Sequence, residues 1–203
     1  VITWWVARRL GFDTEDAIAI QFCGTKKTLA SGLPMATVLF AGSPIGLLML
    51  PLMVFHQAQL MACASLAAPE AARLGTRAAL IHSASVAPAL RDTLLAALHA
   101  HGLAVTALPA SGEPDLPGLM AARATLAPFA PDVILALGGG ATIDLAKALA
   151  ALLPASGDLI RHFEVVGAAL PLDAPPLPLI ALPTTAGTGA EATKNAVIAI
   201  PSH

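Results

Sequence analysis

The chain has 203 residues and a formal net charge of -2, with no basic stripe and no interleaved aromatics, which excludes nucleic acid as a partner. Hydrophobic residues make up 56% and charged residues 12%, and the mean hydropathy is +0.75, whereas a soluble domain is about a quarter charged. The two cysteines, Cys23 and Cys63, lack C-x-x-C spacing and exclude a disulfide framework; both read as reduced thiols on apolar surface.

The charge deficit is uneven. From Thr28 to Pro69 there is no Asp, Glu, Lys or Arg, and from Glu70 onward charges return at normal intervals. This divides the chain into residues 1–65 and residues 66–203. The opening "VITWWVARRLGF" has no initiator Met and no signal-peptide pattern, and reads as the middle of a longer piece. Trp4, Trp5, Arg8 and Arg9 suit an interfacial anchor. Residues 17–22 are mostly apolar, "CGTKKT" interrupts with Lys26 and Lys27, and 29–41 is apolar again, broken by Gly32 and Pro34. This reads either as a broken membrane helix of the kind that builds ion sites or as a loop between two helices. The next run, 42–64, is uncharged, and about 20 such residues cross a bilayer as a helix. Pro44 fits its first turn, Pro51 kinks it, and His56, Gln57 and Gln59 interrupt it; the competing reading is a buried soluble helix.

From Thr76 the pattern is that of a sheet protein. "AALIHS", 78–83, predicts a strand, and Ser85 can cap a helix running through "VAPALRDTLLAALHAH" to Gly102. "LAVTAL", 103–108, predicts a second strand, Pro117 opens a helix to Phe129, and "DVILAL", 132–137, predicts a third strand. Strands that are apolar throughout and alternate with helices predict an α/β fold with a parallel sheet covered on both faces. "ASLAAPEAARLG" reads as a polar entry to the first strand.

The third strand runs into Gly138, Gly139 and Gly140, followed by Ala141 and a helix expected from near Thr142. A glycine turn opening a helix delivers free backbone N–H groups and the positive end of a helix dipole to one spot, which suits phosphate. Asp144 is placed to accept from a ribose or to cap the helix, and Lys147 is one turn on, within reach of phosphate or of Asp144. The spacing is neither GxGxxG nor a P-loop, so a tight turn without a ligand competes. A second glycine loop lies in "PLIALPTTAGTGAEATKNAVIAI", 178–200, read as strand, loop, strand. It places Thr184, Thr185 and Thr188 among Gly187 and Gly189, and is long for a bare hairpin loop.

Together "GGGATIDLAKA" and "LPTTAGTGAEAT" resemble the two signature motifs of the iron-containing (group III) alcohol dehydrogenases, over about residues 67–203. The resemblance implies a dehydroquinate synthase-like, dinucleotide-binding α/β domain. Gly138, Gly139, Gly140, Ala141, Asp144 and Lys147 would hold the phosphates and ribose of NAD or NADP, with Thr184, Thr185 and Thr188 against the cofactor. Ala141 and Ala190 stand where the family has Ser, and Ala84 stands where an Asp reads the adenosine ribose, so NAD and NADP both stay open. The family's Fe or Zn ligands come from a following helical domain, and the chain is expected to be truncated before it. None of His56, His82, His99, His101, His162 and His203 is assigned to a metal, and no catalytic residue is assigned.

Residues 8–64 resemble the C-terminal end of the bile acid:sodium symporter-like membrane proteins, through "FCGTKKTLASGLPMA" and "LPLMVFHQAQLM". Two helices cannot alone form an alternating-access site. The expected function is hydride transfer between a small alcohol or aldehyde and NAD(P), with weak or no turnover from this chain. The alternatives are a maleylacetate reductase-type oxidoreductase, an integral membrane protein carried by residues 1–65, and a fusion without function of its own. The expected location is the membrane, with a cytoplasmic α/β domain, or the cytoplasm if residues 1–65 are an artefact. One exposed apolar face predicts aggregation or a homodimer.

Overall fold

A computed structural model describes residues 62–63, 65–185 and 188–200, together with Arg9, Gly11 and Val38. The chain divides into two compact units, residues 1–51 with 185–187, and residues 52–184 with 188–203. The two expected membrane helices lie outside the described residues. Among the described residues no helix is long and apolar enough to cross a membrane.

The second unit is a four-stranded parallel sheet in the order β2-β1-β3-β4. The strands are β1 (Arg77–Ser83), β2 (Ala104–Ala110), β3 (Val133–Gly138) and β4 (Leu179–Pro183). Three helices connect or follow them: α1 (Pro88–Ala100), α2 (Leu116–Leu126) and α3 (Gly140–Leu152). The two-residue period of a strand sends alternate side chains to opposite faces. Ala78 and Leu80 of β1 with Val133, Leu135 and Leu137 of β3 therefore pack on one side, against Leu94 and Leu98 of α1. Ala79, Ile81, Ile134 and Ala136 pack on the other, against α2 and α3. All six residues of β3 are buried, because helices cover the central strand from both sides.

Residues 65–74, within the expected polar entry to β1, form a helix, and Ala67, Ala68 and Ala71 join the core beside α1. Three local expectations are corrected. Ser85 does not cap α1. Pro88 begins that helix and forces extended backbone on Ala87 (φ -55, ψ 128), while the Ser85 hydroxyl pairs with Ser83 Oγ at 2.8 Å. α3 starts at Gly140, not near Thr142, because Gly139 is already extended and its carbonyl accepts from Ile143 N at 3.1 Å. The segment after β4 forms no hairpin. It passes through a 3-10 turn, Ala190–Ala192, and meets the loop after β2, where Ala199 pairs in parallel with Asp115. Two backbone bonds fix that contact, Ala199 N to Pro114 O at 2.8 Å and Leu116 N to Ala199 O at 2.9 Å.

The helix limits otherwise follow local chemistry. Gly102, at φ 81, takes the left-handed position that ends α1, and Leu103 N donates back to Leu98 O at 3.2 Å. Asp115 caps α2 by accepting from Gly118 N at 2.8 Å. That helix ends at Leu126, short of the expected Phe129. Where β1 begins, Asp132 accepts from Thr76 N and Arg77 N, each at 2.9 Å, and its other oxygen accepts from the Arg77 guanidinium. These donors hold its carboxyl down at about 2.

Candidate functional site

β1 leads outward to β2 and β3 leads outward to β4 on the opposite side, so connections diverge between β1 and β3. In open parallel sheets the crevice beyond the carboxyl ends of such strands takes ligands. β3 ends there on Gly138. The Gly138 position is crowded: a Cβ would lie 2.5 Å from Thr142 Oγ1 and 2.6 Å from Thr142 Cβ. Thr142 is buried, and its packing on Gly138 draws the first turn of α3 down onto the strand end.

α3 has no side-chain cap, since Gly139 stands at the capping position. Its first N–H groups are thus left to a ligand or solvent, in the field of the helix dipole. Asp144, expected either to meet a ribose or to cap the helix, does not cap it. Its carboxylate pairs with Lys147 Nζ at 3.2 Å, both side chains largely buried. Lys147 also donates to Thr193 Oγ1 at 3.0 Å and to Asn195 O at 2.9 Å.

The two glycine motifs are far apart in sequence and adjacent in space. Parallel pairing of β3 with β4 sets Gly138 beside Pro183, and Thr184 N donates to Gly138 O at 2.9 Å. Thr188 comes to the other side of the turn. A Cβ on Gly140 would sit 3.3 Å from Thr188 Cβ, and the Thr188 hydroxyl donates to Glu191 Oε2 at 3.4 Å. Gly189, at φ 71, makes the left-handed bend that starts the 3-10 turn behind it. A cleft of about 290 Å³ lies between these groups, lined by Glu113, Pro114, Gly140, Ala141, Asp144 and Thr188. Thr185 is exposed and groups with the other compact unit.

Glu113 is the charged lining residue that the motifs do not signal. It follows β2, and only the docking of residues 197–199 beside Pro114 closes the cleft around it. An uncapped helix start of glycines that opens on a narrow cleft suits a phosphate ester and its ribose. The described residues do not fit a metal. No group of three or more His, Cys, Asp or Glu side chains among them could hold one.

Comparison with known proteins bears on both halves of the chain. Residues 1–72 match the model of the SBF-like CPA transporter family. A protein named as a symporter, YfeH of Escherichia coli, is 58% identical over 67 residues, 33% of this chain and 20% of that protein. The 4-hydroxybutyrate dehydrogenase of Cupriavidus necator is 42% identical over 67 residues, 33% of this chain and 18% of that enzyme. The crystal structure of an iron-containing alcohol dehydrogenase from Thermotoga maritima superposes with a TM-score of 0.56 at 26% identity, covering 64% of this chain and 36% of that one. The chain thus spans well under half the length of the relatives it matches. Residues 55–203 match the family model described as iron-containing alcohol dehydrogenase, and the chain belongs to that family.

Proposed function

We propose that residues 66–203 are the NAD(P)-binding part of an oxidoreductase that moves hydride between a small alcohol or aldehyde and NAD(P), and that residues 1–65 are a membrane segment of symporter descent. The observation that carries the first half is the meeting of the two glycine motifs at the end of β3, through the pairing of Gly138 with Pro183. The backbone of Gly138, Gly139, Gly140 and Ala141 takes the pyrophosphate at the start of α3. Thr184 and Thr188 line the nicotinamide end, and Asp144 faces the ribose side of the cleft. When bound, the nicotinamide supplies the carbon that accepts or gives up hydride; the chain's own residues bind and orient it. No step is assigned to a metal, for which the described residues supply no ligand set.

The match of residues 1–72 to a transporter family supports a second reading, in which the protein is held in the membrane with the α/β part on its cytoplasmic side. The two readings are compatible in one chain.

The test is titration of NADH and NADPH into the detergent-solubilised full chain, read by nicotinamide fluorescence, beside a Gly139→Asp variant. Saturable binding that is lost in the variant supports the glycine turn as the pyrophosphate site, because the new carboxylate repels phosphate and fills the approach. A folded wild-type chain that binds neither nucleotide sinks the cofactor reading.

A further inference from the structure

We propose that Lys147 is a positioning residue: it clamps the exit of the second glycine loop onto α3 and does not itself hold phosphate. An ammonium group has three protons to donate. Here all three have protein acceptors at bonding distance: Asp144 Oδ1 at 3.2 Å, Thr193 Oγ1 at 3.0 Å and Asn195 O at 2.9 Å. The Lys147 side chain is only 10% exposed. Contact with a phosphate would require it to abandon one of these partners inside a largely desolvated site, where an unmade bond is costly.

The clamp has a definite target. Thr193 and Asn195 sit at the far end of an arch that begins at Thr188. Between them lies the 3-10 turn Ala190–Ala192, closed by Ala192 N donating to Gly189 O at 2.9 Å. The Thr193 hydroxyl, while accepting from Lys147, donates to Ala190 O at 3.4 Å and so ties the turn to its own exit. One end of the arch is Thr188, packed close to Gly140. The other end is held by Lys147, two helical turns along the same helix from Gly140. Both ends are thereby referred to α3, whose uncapped start forms the opposite wall of the cleft. Asp144 accepts from the ammonium at 3.2 Å and keeps it aimed between the two walls. Lys147 thus fixes the width of the cleft from behind.

This inference rests on the cofactor reading only for its effect on affinity; the clamp is tested without nucleotide. Hydrogen exchange of the full chain in detergent is followed over residues 188–199, in the wild type and in Lys147→Met and Thr193→Val. Lys147→Met is expected to speed exchange at Ala192 and Ala199 by about 10- to 100-fold while β1 and β3 stay protected, and Thr193→Val to do so more weakly. Unchanged exchange over this segment in Lys147→Met overturns the proposal. NADH affinity is then measured at low and high salt. Loss of positioning is expected to weaken binding by about 10- to 100-fold in Lys147→Met, with the same salt dependence as the wild type, and Thr193→Val to add nothing in the Lys147→Met background. If Thr193→Val leaves affinity unchanged while Lys147→Met removes both affinity and its salt dependence, Lys147 is a phosphate ligand and the proposal fails. If the folded wild type binds no nucleotide, the cofactor reading fails, and the exchange result alone decides the clamp.

Discussion

Gly138 and Thr142 occupy each other's space: a Cβ on Gly138 would lie 2.5 Å from the Thr142 hydroxyl oxygen. The glycine is therefore required by packing, whatever binds above it. Gly138→Ala is expected to lower stability by about 1–3 kcal/mol, the usual cost of forcing a methyl into a filled core. Thermal unfolding of the wild type and variant checks this, and an unchanged melting temperature would mean that α3 can shift along β3 at little cost.

Gly140 faces a softer neighbour. A Cβ there would stand 3.3 Å from Thr188 Cβ, and Thr188 is exposed, so the loop can give way by a few tenths of an ångström. Gly140→Ala should cost under about 1 kcal/mol of stability, in the range of tolerated core changes. It should weaken NADH or NADPH binding by about tenfold or more, because it displaces one wall of the cleft. Paired melting and fluorescence titration separate the two effects.

Arg123 of α2 donates from Nε to Leu152 O at 2.8 Å and from Nη2 to Ala155 O at 2.7 Å. It satisfies carbonyls left open at the end of α3 and locks α2 to it. Arg123→Met keeps the aliphatic stem and removes the donors. A loss of about 1.5–3 kcal/mol is expected, as for hydrogen bonds made by a charged group, and urea unfolding measures it.

Asp132 gives the fold an acid dependence of known sign. Its carboxyl titrates at about 2 in the folded chain, against an ordinary value of 3.8, chiefly because of the Arg77 side chain and the Thr76 amide. As pH falls the unfolded chain takes up the proton first, so the stability contributed by Asp132 is complete above pH 3.8 and is lost as pH drops towards 2. An Asp132→Asn variant should therefore show a flatter stability curve between pH 4 and 2 than the wild type. Parallel curves would place the acid sensitivity elsewhere.

The transporter-family match over residues 1–72 predicts how the chain partitions in cells. The full chain should stay in the membrane pellet after alkaline carbonate washing, which strips peripheral proteins. Its release into the supernatant would show that residues 1–65 do not span the bilayer.

The sheet was legible in the sequence because its signals are local. An uninterrupted apolar run such as Val133–Leu137 has few alternatives to a buried strand, and a helix-sized connection on either side forces parallel pairing. The glycine turn was equally plain, since three successive glycines end an apolar strand and leave the next helix without a side-chain cap. The errors fell where a residue had two uses. Ser85 has the chemistry of a cap, but Pro88 fixed the helix start and Ser83 took the hydroxyl. Residues 193–200 have the composition of a strand, but they cross α3 to the loop after β2, a contact that depends on where β2 lies in the sheet.

Composition and periodicity by themselves determined the alternation of strands and helices and the two glycine loops as separate pieces; the division at residues 65 and 66 is an expectation they raise from the charge deficit. Tertiary structure alone decided that those loops are neighbours, through the register that sets Gly138 beside Pro183. It also decided that Glu113 joins the cleft and that the three protons of Lys147 are turned to Asp144, Thr193 and Asn195. The reason is one of range. A propensity or a turn is set by a few neighbouring residues, whereas the partners of a charged side chain on a helix depend on which distant segment the sheet order brings across it.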